Sequence, residues 1–199
     1  MIAAFTRMGW VADLRTQAAA PEASSDEMLI RRIAEGDQLA MRTLFGRHRV
    51  PLHRWLLRLV GDEALAEDLL SDVFLDVWRQ AASFEARSSV STWLLAIARY
   101  KALSARRSRP DAELDEKIAS SVADPADDPE VALQKRTRAD LLRRSLARLS
   151  PEHREVIDLV YFHGKSVKEV AEIVGIAEAT VKTRMFYARK KLTVFVAAA

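Results

Sequence analysis

Cysteine is absent from this 199-residue chain, which removes disulfide staples, thiolate metal sites and a cysteine nucleophile. Histidine is scarce: the four, His48, His53, His153 and His163, fall at no spacing that sets two on one helical face. No metal and no cofactor is therefore expected. An excess of one charge sign is also missing, since Lys+Arg 31 against Asp+Glu 28 leaves only +3. Bulk charge makes no case for nucleic acid, so its distribution must. No apolar run is long enough to span a bilayer, and Asp13 and Arg15 break up the one stretch like a leader. The expectation is a cytoplasmic chain with no membrane insertion. Strand-like alternation and internal repeats are lacking as well, which leaves an all-α reading: two small helical domains joined by an acidic flexible linker, the second with a helix-turn-helix.

Residues 1–25 read as a flexible N-terminal extension. Ser25, Asp26 and Glu27 then lead into Met28, Leu29, Ile30 and Ile33, a capped helix start. Gly36 and Asp37 interrupt, and the apolar series resumes at Leu39, Ala40, Leu44 and Phe45, continuing past Pro51 as Leu52, Trp55, Leu56 and Leu59. After Gly61 and Asp62, a helix from Glu63 to about Gln80 carries an apolar stripe of Leu65, Leu69, Val73, Val77 and Trp78. Its acids, Glu67, Asp68, Asp72 and Asp76, lie mainly elsewhere. Such a face is either simply solvated or a dock for a basic partner.

A short polar loop, Ser83 to Val90, feeds the next helix at Ser91-Thr92-Trp93. That helix buries Trp93, Leu94, Ile97, Ala98 and Ala102 and ends in Arg106, Arg107 and Arg109 before Pro110. Arg99, Lys101, Arg106 and Arg107 beside Tyr100 combine cations with an aromatic, the mixture that grips a backbone and stacks on an unpaired base. These residues, 26–109, form the first domain. Residues 110–130 are acid-rich, with Pro125 and Pro129 among them, and have little to bury; they read as the linker.

The second domain, 131–196, opens with a basic amphipathic helix and restarts at Ser150-Pro151-Glu152, where serine can cap and proline is tolerated. Its centre is Ser166 to Leu192. Val167, Val170, Ala171, Ile173 and Val174 recur at helical spacing, Gly175 interrupts, and Val181, Met185, Ala188 and Leu192 follow. Glycine suits that turn because it takes a left-handed conformation without a Cβ clash, and Ile176 can tuck between the helices. The other side of the second helix carries Thr180, Lys182, Thr183, Arg184, Tyr187, Arg189, Lys190 and Lys191, donors able to reach phosphates or base edges in a major groove. An ordinary helical hairpin with a solvated basic face gives the same pattern.

In order along most of the chain, four blocks resemble the extracytoplasmic-function group of bacterial RNA polymerase sigma factors. They are Ala66-Glu67-Asp68-Leu69 through Phe74 and Trp78; Ser91-Thr92-Trp93-Leu94 with Ile97-Ala98-Arg99; Leu149-Ser150-Pro151-Glu152-His153-Arg154-Glu155-Val156; and Val167-Lys168-Glu169-Val170-Ala171 with Thr180-Val181-Lys182-Thr183-Arg184 and Ala188-Arg189-Lys190-Lys191-Leu192.

The resemblance implies a transcription initiation factor without a catalytic site of its own. Asp68, Ser71, Asp72 and Asp76 would meet core RNA polymerase. Phe84, Ser88, Ser89, Trp93, Arg99, Tyr100, Lys101, Arg106 and Arg107 would read and melt the minus-ten element and hold the non-template strand. Glu178, Thr180, Lys182, Thr183, Arg184, Tyr187, Arg189 and Lys190 would read the minus-thirty-five element as duplex. An anti-sigma factor is a further implied partner. The family often has glutamine at Ser71, asparagine at Tyr100, aspartate at Ser104 and arginine at Tyr187, so promoter sequence does not follow from the resemblance. A sigma-like decoy for an anti-sigma factor and a plain helix-turn-helix repressor are the alternatives. An enzyme using Glu67 and Asp68 fails on geometry, because neighbours on a helix diverge by roughly 100°.

Overall fold

Each helix in the first half starts where a side-chain oxygen can satisfy an otherwise orphaned backbone N–H. Ser25 Oγ accepts from Met28 N at 3.3 Å and opens α1 (Asp26–Ala34). Asp37 accepts from Leu39 N and Ala40 N at 2.8 and 3.1 Å and opens α2 (Gln38–Val60), which runs on through Pro51. Asp62 accepts from Leu65 N at 2.8 Å at the head of α3 (Glu63–Gln80). A single 3₁₀ turn, Ala81–Ser83, and the loop that follows lead to α4 (Val90–Ser108), where Ser89 Oγ accepts from Thr92 N at 3.3 Å. The computed structural model describes residues 25–108, 141, 142 and 144–197. The extension before Ser25, Arg109 and the expected linker at 110–130 lie outside the described residues, as does most of the basic helix after 131.

Residues 141, 142 and 144–147 are helical. Then come α5 (Pro151–Tyr161), α6 (Val167–Val174) and α7 (Glu178–Ala197). Ser150 stands at the N-cap of α5, but its hydroxyl pairs with His153 Nδ1 at 2.9 Å and no backbone N–H reaches it, so the expected cap is positional only. α6 is capped at both ends. Ser166 and Glu169 form a full capping box, and Gly175 ends the helix in the left-handed conformation with φ 72°.

α2 packs against α1, α3 and α4, and the core holds Trp55, Leu44, Leu56, Val73, Phe74, Val77, Leu94 and Ala98, all with almost no exposure. Phe45 and Phe74 meet edge to face at 4.9 Å. The predicted stripe on α3 is shifted slightly: Ala66 and Phe74 are buried, while Leu65 and Trp78 sit at its margin. Arg47 and His48 both reach Asp26, at 2.8 and 2.6 Å, tying α1 to α2.

The core does not stop at the end of the first four helices. α4 packs against α6, and Val156, Leu159, Val170, Ile173, Val174, Val181 and Met185 belong to the same continuous apolar cluster as Trp55 and Leu94. A second, smaller cluster of Leu149, Ile157 and Ala188, with Leu146, Leu192 and Phe195 against it, joins α5 to the far side of α7. Among the described residues, the two halves of the chain are folded onto each other. No described helix is long and apolar enough to cross a membrane.

Candidate nucleic-acid interface

The acidic face of α3 is present but uneven. Asp68, Asp72 and Asp76 follow at four-residue spacing and so share one side of the helix. Glu67 and Asp68 are exposed, whereas Ser71, Asp72 and Asp76 are half-buried. Ser71 donates back to the Glu67 carbonyl at 3.1 Å. Asp76 is paired: Lys101 Nζ of α4 lies 2.7 Å from its carboxylate. One residue expected to meet a protein and one expected to meet DNA thus hold each other.

The loop from Phe84 to Val90 is anchored by aromatic packing, with Phe84 and Trp93 half-buried and their rings 4.9 Å apart. Ala86 sits in the left-handed region at φ 53°, a conformation that disfavours a residue with a Cβ by about 1–2 kcal/mol. Ser88 is half-buried and Ser89 exposed. Tyr100 is 74% exposed, and Arg106 and Arg107 project from the last turn of α4. Arg99 is different. Its Nε donates to Glu155 Oε1 at 2.7 Å and its Nη2 to Oε2 at 3.4 Å, so the guanidinium fork is occupied by α5.

On α7 the division expected from the sequence holds: Val181, Met185 and Ala188 are buried. Glu178, Thr180, Lys182, Thr183, Tyr187, Arg189 and Lys190 are exposed, and Arg184 is half-buried. Arg189 lies over the Tyr161 ring at 5.7 Å. Sequence reasoning missed Phe186, which is 62% exposed and meets Tyr187 edge to face at 5.4 Å. Its signal was there: a large aromatic off the buried stripe of a basic helix.

Also missed was a polar seam between the two halves. Lys165, buried at 8% exposure, donates to Ser91 Oγ at 2.5 Å, to Thr92 Oγ1 at 3.0 Å and to Ser89 Oγ at 3.3 Å. Glu169 Oε1 accepts from Thr92 Oγ1 at 2.7 Å and from Ser89 Oγ at 3.3 Å. Burial alone would raise the Glu169 carboxyl. The Ser166 backbone N–H, the Thr92 and Ser166 hydroxyls and the Lys165 ammonium outweigh it and bring the pKa down to about 2.

Deeper in the seam, Arg58 Nε donates to Asp158, and His163 packs edge to face on Trp55 at 5.5 Å. Burial pushes the Asp158 carboxyl up to about 6 even though the Arg58 charge opposes it. Burial likewise drives His163 down to about 4, helped by the charges of Arg58 and Lys165. The Asp158 clue lay in the sequence as one acid inside the apolar run Val156-Ile157-Asp158-Leu159-Val160.

A grouping that one-helix spacing cannot reveal also appears. Ligand atoms of His53, Glu63 and Glu67 all lie within 4.8 Å of one another across the turn from α2 to α3. The Glu63 side chain is 64% exposed and lies 3.5 Å from His53 Nε2, which is itself shielded from solvent and has no hydrogen-bond partner.

The Sigma-70 region 2 family matches residues 44–110 and the Sigma-70 region 4 family matches residues 139–192. The extracytoplasmic-function RNA polymerase sigma factor SigL of Mycobacterium tuberculosis is 35% identical over 164 residues, 80% of this chain and 90% of that protein. A solved structure of CnrH in complex with the cytosolic domain of CnrY aligns with TM-score 0.64 at 25% identity, covering 88% of this chain and 99% of that one. The sigma factor RpoE, solved in complex with the anti-sigma factor NepR from Bartonella quintana, aligns with TM-score 0.57 at 25% identity over 78% of this chain and 97% of that one. The region 2 match falls on α2 to α4 and the region 4 match on α5 to α7, the elements that carry the acidic and basic faces. The chain belongs to the extracytoplasmic-function group of RNA polymerase sigma factors, and it is an alternative sigma factor.

Proposed function

We propose that this sigma factor docks on core RNA polymerase through the Asp68, Ser71, Asp72 and Asp76 flank of α3. It reads the minus-thirty-five element with the exposed side of α7, and it holds the melted non-template strand of the minus-ten element with the Phe84–Val90 loop and α4. The observation that carries this reading is the sorting of exposed chemistry: carboxylates gather on α3, while cations, hydroxyls and aromatics gather on α7 and the outer end of α4. No catalytic group is assigned, because the factor supplies position and binding energy and the polymerase supplies the chemistry. Unstacking a base costs a few kcal/mol, and stacking worth about 1–3 kcal/mol per base on exposed aromatics such as Tyr100 offsets it.

Within α7, Lys182, Thr183 and Arg184 are the base readers, near the helix N-terminus where a recognition helix meets base edges; Arg189 and Lys190 grip phosphates. The setting is the cytoplasm, where the polymerase acts. A protein antagonist of the anti-sigma class is the natural partner for control, by analogy with the RpoE and NepR complex. The test is co-elution with core polymerase. The wild-type chain is expected to co-elute, and Asp68→Lys with Asp72→Lys to lose at least tenfold in affinity. Equal retention of both proteins would overturn the docking face.

A further inference from the structure

We propose that the turn from α2 to α3 carries a binding site for one divalent transition-metal ion of the zinc type, with His53 Nε2 and a carboxylate oxygen each from Glu63 and Glu67 as its protein ligands. The inference stands apart from the docking and DNA-reading roles given above.

The backbone brings the three residues together. α2 ends at Gly61, which takes the left-handed conformation at φ 73°, and Asp62 caps α3 by accepting from Leu65 N at 2.8 Å. Only these two residues separate the helices, so α3 folds back along α2. Glu63 and Glu67, four apart, share one face of α3, and His53, about two turns before the end of α2, stands opposite them. The expectation of no metal rested on histidine pairs within one helix; this set takes one histidine and reaches across a turn.

The spacing suits a small cation. The three ligand atoms lie within 4.8 Å of one another. In a tetrahedral zinc site, bonds of about 2.0–2.2 Å hold the ligand atoms roughly 3.3 Å apart. The glutamates can close that gap by side-chain rotation alone, because both are exposed and their helix need not move.

The chemistry at His53 points to a ligand. Its side chain is 23% exposed, yet Nε2 itself is buried and has no hydrogen-bond partner. With the imidazole neutral and Nε2 unprotonated, a nitrogen lone pair and two carboxylates converge as three acceptors with no donor between them. A proton on Nε2 answers one carboxylate, whereas a divalent cation answers all three groups and matches the two negative charges. Among the described residues no lysine or arginine pairs with Glu63 or Glu67, unlike Asp76, which Lys101 holds, so no internal cation competes for the place.

The donor set selects the ion. One imidazole with two carboxylates suits zinc and its neighbours, while magnesium and calcium seek oxygen cages. Three protein ligands leave a fourth position for water. Bound there, the ion pins the head of α3 to α2 and offsets the acid next to Asp68.

The test titrates Zn2+ alone into the untagged full chain, first stripped with a chelator, and follows it by calorimetry. One ion per chain is expected to bind and to raise the thermal midpoint. His53→Ala, Glu63→Gln and Glu67→Gln should each weaken binding at least about tenfold and abolish the thermal shift, with helicity unchanged, whereas His153→Ala should bind as wild type does. Co2+ in place of zinc should give the strong visible absorption of a four-coordinate site. Absence of saturable binding overturns the site, and so does binding that survives any of the three changes. Loss of binding in His153→Ala, or a weak six-coordinate cobalt spectrum, overturns it equally.

Discussion

Glu169 divides its two carboxylate oxygens between two tasks: Oε2 accepts from the Ser166 backbone N–H at 3.0 Å, and Oε1 accepts from the Thr92 hydroxyl at 2.7 Å. The first bond caps its own helix and the second reaches the other half of the molecule. Its pKa is lowered from 4.5 to about 2, so the ionised form is the one the fold prefers. A depressed carboxylate contributes stability that is present above the unfolded value and lost as pH falls through the folded value. Two other groups oppose each other at milder acidity. His163, lowered from 6.5 to about 4, weakens the fold as pH falls through that window, while Asp158, raised from 3.8 to about 6, strengthens it. Denaturant midpoints should therefore change little between pH 6.5 and 4.5 and drop below pH 4. In Glu169→Gln the drop below pH 4 should be shallower. A variant profile parallel to wild type would assign the loss elsewhere.

Arg99 and Glu155 are nearly out of water, with side chains 21% and 9% exposed. Removing either leaves a buried charge unmatched, so a double-mutant cycle with Arg99→Ala and Glu155→Ala should return a coupling of about 1–3 kcal/mol. The single variants should also split one calorimetric transition into two, as the halves lose their mutual support. Coupling below about 0.3 kcal/mol would mean the pair is an incidental surface contact.

Asp76 and Lys101 form a smaller lock inside the first half, with side chains 25% and 18% exposed. Lys101→Ala is expected to lower stability by about 0.5–1 kcal/mol in denaturant titrations and to free Asp76. If the Asp76 carboxylate itself meets the polymerase, this variant should bind core enzyme at least as tightly as wild type. Weaker binding with an intact fold would give Lys101 a contact of its own.

Backbone conformation makes opposite demands at two positions. Gly175 holds φ 72° at the turn into α7 with nothing within 4 Å of a built Cβ, so Gly175→Ala suffers from conformation and not from a clash. It should cost about 1–2 kcal/mol. Ala86 holds φ 53° with a Cβ already present, so Ala86→Gly should stabilise by up to about 1 kcal/mol. Urea unfolding of both variants checks the signs.

What was legible in the sequence follows from what each signal encodes. Periodicity reports one helix at a time, and it placed α3 from Glu63 to Gln80 and the buried Val181, Met185 and Ala188 without structural help. Gly175 announced its turn because few other residues tolerate that backbone. Contacts between distant segments leave no such local trace. Lys165, between Gly164 and Ser166, gives no local sign of burial, yet it is buried among hydroxyls from residues more than seventy positions earlier. Arg99 and Lys101 read as free cations because their partners, Glu155 and Asp76, sit on other helices. The family resemblance implied which faces would meet polymerase and DNA, but it carried no information on which side chains pair between the two halves.

On the proposed reading, DNA readout on α7 divides by position. Arg184→Ala should weaken binding only at particular upstream bases, whereas Lys190→Ala should weaken it evenly and lower the salt slope by about one. Salt-dependent binding titrations on a set of duplexes separate the two, and identical effects on every sequence would erase the distinction.

The most direct test of the whole account is run-off transcription on genomic fragments with purified core RNA polymerase. The account predicts that the chain alone makes no transcript, that core enzyme alone ignores the fragments, and that the two together start at a discrete set of sites. Chain and core enzyme that bind each other yet yield no new start site would contradict it.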